Sequence, residues 1–197
     1  MPHSNAPEEI AASVFSAIWG GDESTAAAGV YALLDAARDP RIFHAIGTSG
    51  LDYECLFSGK LPRVLAMAAP YIVSLDPDAE FTKMLLNQGW GSSWGVFASS
   101  DAGFEDLRKH FRKFLKVVDK STGKSLFFRF YDPRVLRVYL PTCSSDELRQ
   151  VLEPVRRCFV ERENPAEMAV YSLDFPVGLG GECRLVTRIL RLGPNPA

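Results

Sequence analysis

The sequence has little of what a metal, redox or cofactor site needs. Its 197 residues include three histidines and four cysteines, with no C-x-x-C pair. No histidine spacing is typical of a metal site, and we expect His110 on the solvated face of a helix. The cysteines, Cys55, Cys143, Cys158 and Cys183, lie far apart in the chain, which favours reduced thiols. The sequence therefore predicts no metal, no cofactor and no catalytic cluster.

Long hydrophobic runs and an excess of positive charge are also missing. The longest apolar stretches, such as residues 66–73, are far shorter than the roughly 20 residues of a membrane helix. Before residue 8 the only side chain with basic character is His3, and no apolar run follows it, so we expect no secretory signal. The net charge is −2, whereas a protein that binds nucleic acid usually has a basic excess. These absences predict a cytoplasmic protein without a membrane or nucleic-acid partner.

What the chain does contain is core material in an ordered series of elements. Apolar residues make up 47 % of the sequence, and 13 phenylalanines strengthen the candidate core. A helix is predicted at 7–19, followed by a polar linker. From residue 30, short apolar strands at 30–34, 53–57, 71–75 and 94–98 alternate with helices at 40–48, 61–68 and 79–88. Another helix follows with Phe104, Leu107 and Phe111 on one face, capped by Ser100 or Asp101.

This alternation predicts an α/β fold, with mixed α+β as the alternative. The continuous apolar runs suit strands covered on both faces, as in a parallel sheet, so we expect a Rossmann-like open sheet with helices packed on it. The strand order stays open. After residue 120 we expect an aromatic strand at 125–131 and helices at 133–139 and 144–152, started by Asp132 and by a capping box.

Three antiparallel strands, at 158–162, 168–173 and 183–190, are predicted to form a smaller C-terminal part. The predicted organisation is thus an N-terminal helix and linker at 1–25, an α/β domain at 26–155, and a β-rich extension at 156–197 that packs on it.

The aromatic segment at 127–134 contains the most informative charges. Alternation places Phe128 and Phe130 on one face and Phe127, Arg129 and Tyr131 on the other. An arginine among aromatic residues needs a carboxylate or a stacking partner, and Asp35 and Asp132 are the candidates. Arg134 follows in the same segment. A structural ion pair and a functional surface both remain open.

Two further clusters have a structural and a functional interpretation. The helix after residue 103 carries a basic face, which is either solvated or a docking face for an acidic partner: Arg108, Lys109, Arg112, Lys113 and Lys116. The glycine-rich run 89–95 lacks the order of a phosphate-binding loop, so it is interpreted as a helix end with Trp90 and Trp94 packing the turn.

Six segments in order, 31–40, 50–59, 69–75, 89–95, 107–115 and 128–136, resemble the effector chaperones, or adaptors, of the bacterial type VI secretion system. The resemblance covers residues 28–155. It implies a non-enzymatic protein that binds one toxin effector in the cytoplasm and helps to load it onto the VgrG spike or its PAAR tip. It also implies an extension at 156–197 that differs with cargo. Asp35, Trp90, Trp94, Arg129, Tyr131, Asp132 and Arg134 become candidates for partner binding or for structural roles.

A small α/β enzyme is the competing interpretation. Its site would lie at the carboxyl ends of the strands near Asp35, where Glu54 and Asp76 are the other titratable residues. A nucleic-acid-binding module using the basic helix is a third interpretation, which the overall charge disfavours. The sequence leaves the oligomeric state open.

Overall fold

The fold is taken from a computed structural model that describes residues 6–20, 28–118, 122–176 and 182–193. The strands are β1 (Gly29–Asp35), β2 (Tyr53–Cys55), β3 (Pro70–Leu75), β4 (Gly95–Ser100), β5 (Lys116–Val118), β6 (Ser125–Phe127), β7 (Arg157–Glu161), β8 (Glu167–Asp174) and β9 (Arg184–Arg191). The helices are α1 (Ala6–Trp19), α2 (Pro40–Thr48), α3 (Arg63–Ala66), α4 (Glu80–Met84), α5 (Phe104–Arg112), α6 (Pro133–Tyr139) and α7 (Ser145–Leu152). A π-helical turn, Leu85–Gly89, continues α4, and a 3₁₀ turn, Leu140–Thr142, continues α6.

Seven strands form one sheet in the order β2-β3-β1-β4-β7-β8-β9, and every neighbouring pair is antiparallel. The expected open sheet with helices packed on it, in its mixed α+β form, is confirmed. The expected parallel, Rossmann-like arrangement is wrong. The apolar runs in β1, β3 and β4 arise because both faces of the sheet are buried, and burial on two faces does not depend on strand direction.

Two helical layers cover the sheet. Alternate residues of β1 face opposite layers: Ala32 and Leu34 pack with α1, α2 and α4, whereas Leu33 packs with α5, α6 and α7. The faces of β1, β3 and β4 are therefore largely buried, which leaves the ends of the strands and the peripheral elements for a binding surface.

Helix starts follow local sequence signals. Asp39 caps α2 by accepting a hydrogen bond from the backbone N–H of Arg41 at 2.8 Å, and Pro40 occupies the first turn. The capping box of α7 joins Ser144 and Glu147 as predicted. The start of α5 differs: Gly103 is its N-cap, while the side chain of Ser100 instead accepts from the N–H of Ala102.

The aromatic strand is shorter than predicted. Strand β6 ends at Phe127 and pairs with β5 in a separate hairpin. The chain then turns, with the N–H of Asp132 donating to the carbonyl of Arg129 at 2.9 Å, so that α6 begins at Pro133. The predicted alternation of faces therefore stops at Phe127, and Phe130 and Tyr131 are both buried.

The C-terminal strands are antiparallel, as expected, and continue the main sheet because β7 pairs with β4. No described strand pairs with the outer edge of β9, which carries Arg184, Arg188 and Arg191. Within the described ranges, none of the helices has the length and apolar character needed to cross a membrane. Of the predicted N-terminal segment 1–25, residues 1–5 and 21–25 lie outside those ranges.

Candidate docking cleft

An open cleft of about 720 Å³ separates the segment 56–68 from the β5–β6 hairpin, and we call it the Asp35 cleft. It is lined by Asp35, Ala37, Leu56, Phe57, Ser58, Leu61, Leu65, Ala68, Arg112, Leu115, Lys116, Phe127, Arg129 and Tyr131. Asp35, Leu56, Leu115 and Tyr131 are buried and form its floor. Its lining combines fixed charge with apolar side chains, a composition typical of a binding surface.

An ion pair between Asp35 and Arg129 joins the floor of the cleft to the segment after β6. Asp35 ends β1, and the turn after Phe127 brings the guanidinium of Arg129 onto its carboxylate. The N–H of Ala37 donates a second hydrogen bond to Asp35 at 3.1 Å. The hydrogen bond to Asp35 raises the pKa of Arg129, which keeps the guanidinium charged. Of the two predicted partners of Arg129, Asp35 is therefore the one that binds it.

Asp132 has a different partner. It caps α6 by accepting from the backbone N–H of Arg134 at 3.0 Å, and its carboxylate also binds the Arg134 guanidinium at 2.6 Å. Burial alone would raise the pKa of Asp132, but the hydrogen bonds from Arg134 outweigh it and lower that pKa. Tyr131 lies between the two ion pairs in sequence, and burial raises the pKa of its phenol to about 12.

The prediction that five cations share one helix face is wrong, because α5 ends at Arg112 and Lys116 begins β5. Arg112 and Lys116 line the Asp35 cleft. Arg108 binds Glu54 at 3.4 Å and Glu105 at 3.2 Å, and Lys109 binds Asp106 at 3.8 Å. Lys113 is exposed and does not line the cleft. Two of the five cations therefore contribute to the cleft, and Arg108 and Lys109 have acidic partners elsewhere.

Exposed apolar side chains border the cleft on both sides. On α3, Val64 is 78 % exposed and Leu65 is 54 % exposed, and on β6 Phe127 is 64 % exposed. Val117, Val118 and Leu126 of the hairpin are exposed as well. The ring of Phe57 contacts that of Phe127 with centroids 5.6 Å apart, which connects the two walls. Exposed apolar residues grouped in this way mark interaction sites in soluble proteins.

Both tryptophans lie outside the lining of the cleft. Trp94 is buried, with the guanidinium of Arg41 5.1 Å from its ring centroid. Trp90 donates from Nε1 to the carbonyl of Pro165 at 2.8 Å. The π-helical turn ends at Gly89, so the interpretation of this run as a helix end packed by tryptophans is confirmed.

Sequence reasoning missed the buried carboxylate of Glu161. It accepts from the N–H groups of Gly91 and Ser93 at 2.6 and 2.9 Å, and from the Ser93 hydroxyl at 3.0 Å. Burial raises its pKa. These hydrogen bonds fix the loop 90–94 to β7. They could not be predicted, because Glu161 lies about 70 residues from the loop in the sequence.

The residues named for the competing enzyme do not converge on Asp35. Glu54 pairs with Arg108, and Asp76 accepts from the N–H of Asp78 at 2.9 Å; neither lines the cleft. Among the described residues, no three histidine, cysteine, aspartate or glutamate side chains group as metal ligands would. All four cysteines are described, and all are free thiols.

Comparison with known protein families shows which family the chain belongs to. The profile of a domain of unknown function, DUF4123, matches residues 30–150, which is more than half of the sequence. The chain belongs to this family. The family is associated with type VI secretion effector adaptors, so the resemblance found in the sequence is supported at the level of the family. Every residue lining the Asp35 cleft lies within the matched segment. No curated protein and no solved structure matches the chain.

Proposed function

We propose that the protein is a non-enzymatic adaptor that binds a toxin effector of the type VI secretion system in the cytoplasm and helps to load it onto the VgrG spike or its PAAR tip. The observation that carries the proposal is the family match over residues 30–150, a segment that contains the whole Asp35 cleft.

The chemistry of the cleft supports binding rather than catalysis. The carboxylate of Asp35 is already paired with Arg129, and the phenol of Tyr131 stays protonated because burial raises its pKa to about 12. The remaining cations and the exposed apolar rims suit recognition of a protein surface, where apolar contacts supply affinity and charges set orientation.

Co-expression with proteins encoded beside this one tests the proposal. A tagged copy should retain one neighbouring effector through affinity purification and gel filtration as a stoichiometric complex, and the effector should be less soluble when expressed alone. A ternary complex with the neighbouring VgrG or PAAR protein should form when all three are present. An effector from an unrelated cluster is the control.

Delivery gives the second readout. Deleting the gene should stop delivery of that effector, whereas delivery of other effectors of the same strain should be unchanged. Failure of every neighbouring effector and spike protein to bind would refute the adaptor proposal.

A further inference from the structure

We propose that the Asp35 cleft holds an acidic segment of the effector that also carries apolar side chains. Its carboxylates would contact Arg112, Lys116 and Arg129, and its apolar side chains would cover Leu65 and Phe127. The identity of the partner rests on the proposed function, whereas the chemistry of the bound segment rests on the cleft alone.

Charge is the first argument. Three cations line the cleft, Arg112, Lys116 and Arg129, against one carboxylate, Asp35, which is buried and bound to Arg129. The chain as a whole carries a net charge of −2, so the sign of the charge in the cleft is opposite to that of the molecule. A partner carboxylate is therefore attracted to this surface and repelled by the average surface, which orients the encounter.

The positions of these cations support direct contact. Lys116 begins β5 with its Nζ 5.8 Å from the ring centroid of Phe127, so charge and apolar surface are adjacent on the same wall. Arg129 gives one side of its guanidinium to Asp35 and still has 43 % of its side chain exposed. A guanidinium has several donors in a fixed plane, so Arg129 retains donors for a second carboxylate.

The apolar rims are the second argument. Val64 and Leu65 project from α3 on one side, and Val118 and Phe127 project from the hairpin on the other, all of them more than half exposed. A ligand with charge alone, such as phosphate, would leave these side chains in water. A segment that alternates acidic and apolar residues would cover them and also match the cations, since burial of apolar area is the main source of affinity in protein interfaces.

Charge reversal at basic residues between positions 109 and 116 provides a matched test. Arg112→Glu with Lys116→Glu changes the cleft, and Lys109→Glu with Lys113→Glu changes the net charge equally on residues outside the lining of the cleft. We expect the cleft variant to weaken effector binding about tenfold or more, mainly through slower association at low salt, and the control to stay within about twofold. Thermal melts should show both variants folded, because none of the four side chains is buried and charges in contact with water contribute little to stability.

The apolar rim has its own pair of variants. Phe127→Ser removes the exposed ring beside the cleft, and Val138→Ser removes a comparably exposed side chain from α6, outside the cleft. The first should weaken effector binding about tenfold, because a central aromatic residue often dominates an interface, and the second should leave it unchanged.

A labelled peptide of alternating glutamate and leucine tests the cleft without the effector, with an alternating lysine and leucine peptide as the control. Wild type should bind the acidic peptide, and the Arg112→Glu, Lys116→Glu variant should not. If the effector fails to bind but the acidic peptide binds in this way, the adaptor proposal is refuted and the chemistry of the cleft stands.

Three results would overturn the cleft inference. The first is an effector complex that both cleft variants form as tightly as wild type. The second is equal binding of the acidic and basic peptides. The third is a change of oligomeric state in the Phe127→Ser protein alone, which would show that a second copy of this chain covers the rims.

Discussion

Asp35 and Arg129 share one ion pair but differ in their access to water. The side chain of Asp35 is 1 % exposed, whereas that of Arg129 is 43 % exposed. Removing the arginine would leave a buried carboxylate without a counter-charge. Removing the carboxylate would leave a guanidinium that water already reaches. The two halves of the pair should therefore contribute unequally to stability.

Arg129→Ala should lower the free energy of unfolding by about 3 kcal/mol, because it leaves the buried carboxylate of Asp35 without a counter-charge. Asp35→Asn should lower it by about 1 kcal/mol, since the amide oxygen can still accept from Ala37 and Arg129 can remain hydrated. Urea denaturation at neutral pH measures both, and the double variant should lose less than the sum. Equal losses for the two single variants would contradict the asymmetry.

For single helices and strands, the sequence predicts where they begin better than it predicts strand direction or strand length. The bounds of α2 and the starts of α6 and α7 follow from short signals, Asp39–Pro40, Asp132–Pro133 and the Ser144–Glu147 capping box, because a cap acts within one turn. The direction of β1, β3 and β4 is predicted wrongly, because it depends on pairing between residues far apart, whereas the antiparallel direction of β7, β8 and β9 is predicted correctly. The aromatic run 125–131 has the composition of a strand throughout, and only the turn that starts α6 ends it at Phe127.

The Asp35 cleft, too, is predicted only in part from the sequence. Its ion pair was one of two predicted from the sequence, because a charge in an aromatic run requires a partner. The wall formed by 56–68 was not predicted, since three distant parts of the chain build the cleft and no local pattern indicates which of them meet. The chosen partner, Asp35, lies 94 residues from Arg129.

Helices α5 and α7 are joined through His110, contrary to the expectation that this histidine is solvated. Its Nε2 lies 2.9 Å from the carbonyl oxygen of Val151, and its ring contacts Phe111 and Phe114. Burial lowers the pKa of His110, and Lys113 adds to that effect; the hydrogen bond with Val151 and the charge of Glu153 act in the opposite direction without reversing it. The imidazole is thus held in its neutral form between the two helices.

Acidification should weaken this junction. The unfolded chain binds a proton at His110 near its usual pKa of about 6.5, whereas the native state does so only at lower pH, so stability falls as the pH drops below that value. His110→Gln can keep the hydrogen bond to Val151 without titrating. The stability advantage of wild type over this variant should therefore be larger at about pH 7.5 than at about pH 5. A difference that does not change with pH would contradict the prediction; His44→Gln, at an exposed site in α2, is the control for histidine replacement.

At the scale of the whole molecule, the two ends of the sheet differ. The cleft lies beside β1 and the chain that follows β2, whereas β9 forms the opposite edge. The charges of β9 match those of β8, the strand with which it pairs: Arg184 lies opposite Asp174, and Arg191 lies opposite Glu167. The outer side of β9 presents the N–H and C=O groups of alternate residues, with which no described strand pairs, and sheets commonly join at such an edge.

We expect the arginines of β9 to oppose pairing of this edge with a second copy of the chain. If two copies paired their β9 strands antiparallel over the full length, Arg184 of each would lie directly opposite Arg191 of the other, and like charges in that position repel. Arg184→Thr with Arg191→Thr should therefore favour a two-fold dimer joined through β9 at high protein concentration, visible as a doubled mass in gel filtration with light scattering. Arg38→Thr with Lys113→Thr removes the same charge elsewhere and should leave the mass of the wild-type protein unchanged. One arginine at each end of β9 would thus decide whether this edge stays single or joins a second copy of the protein.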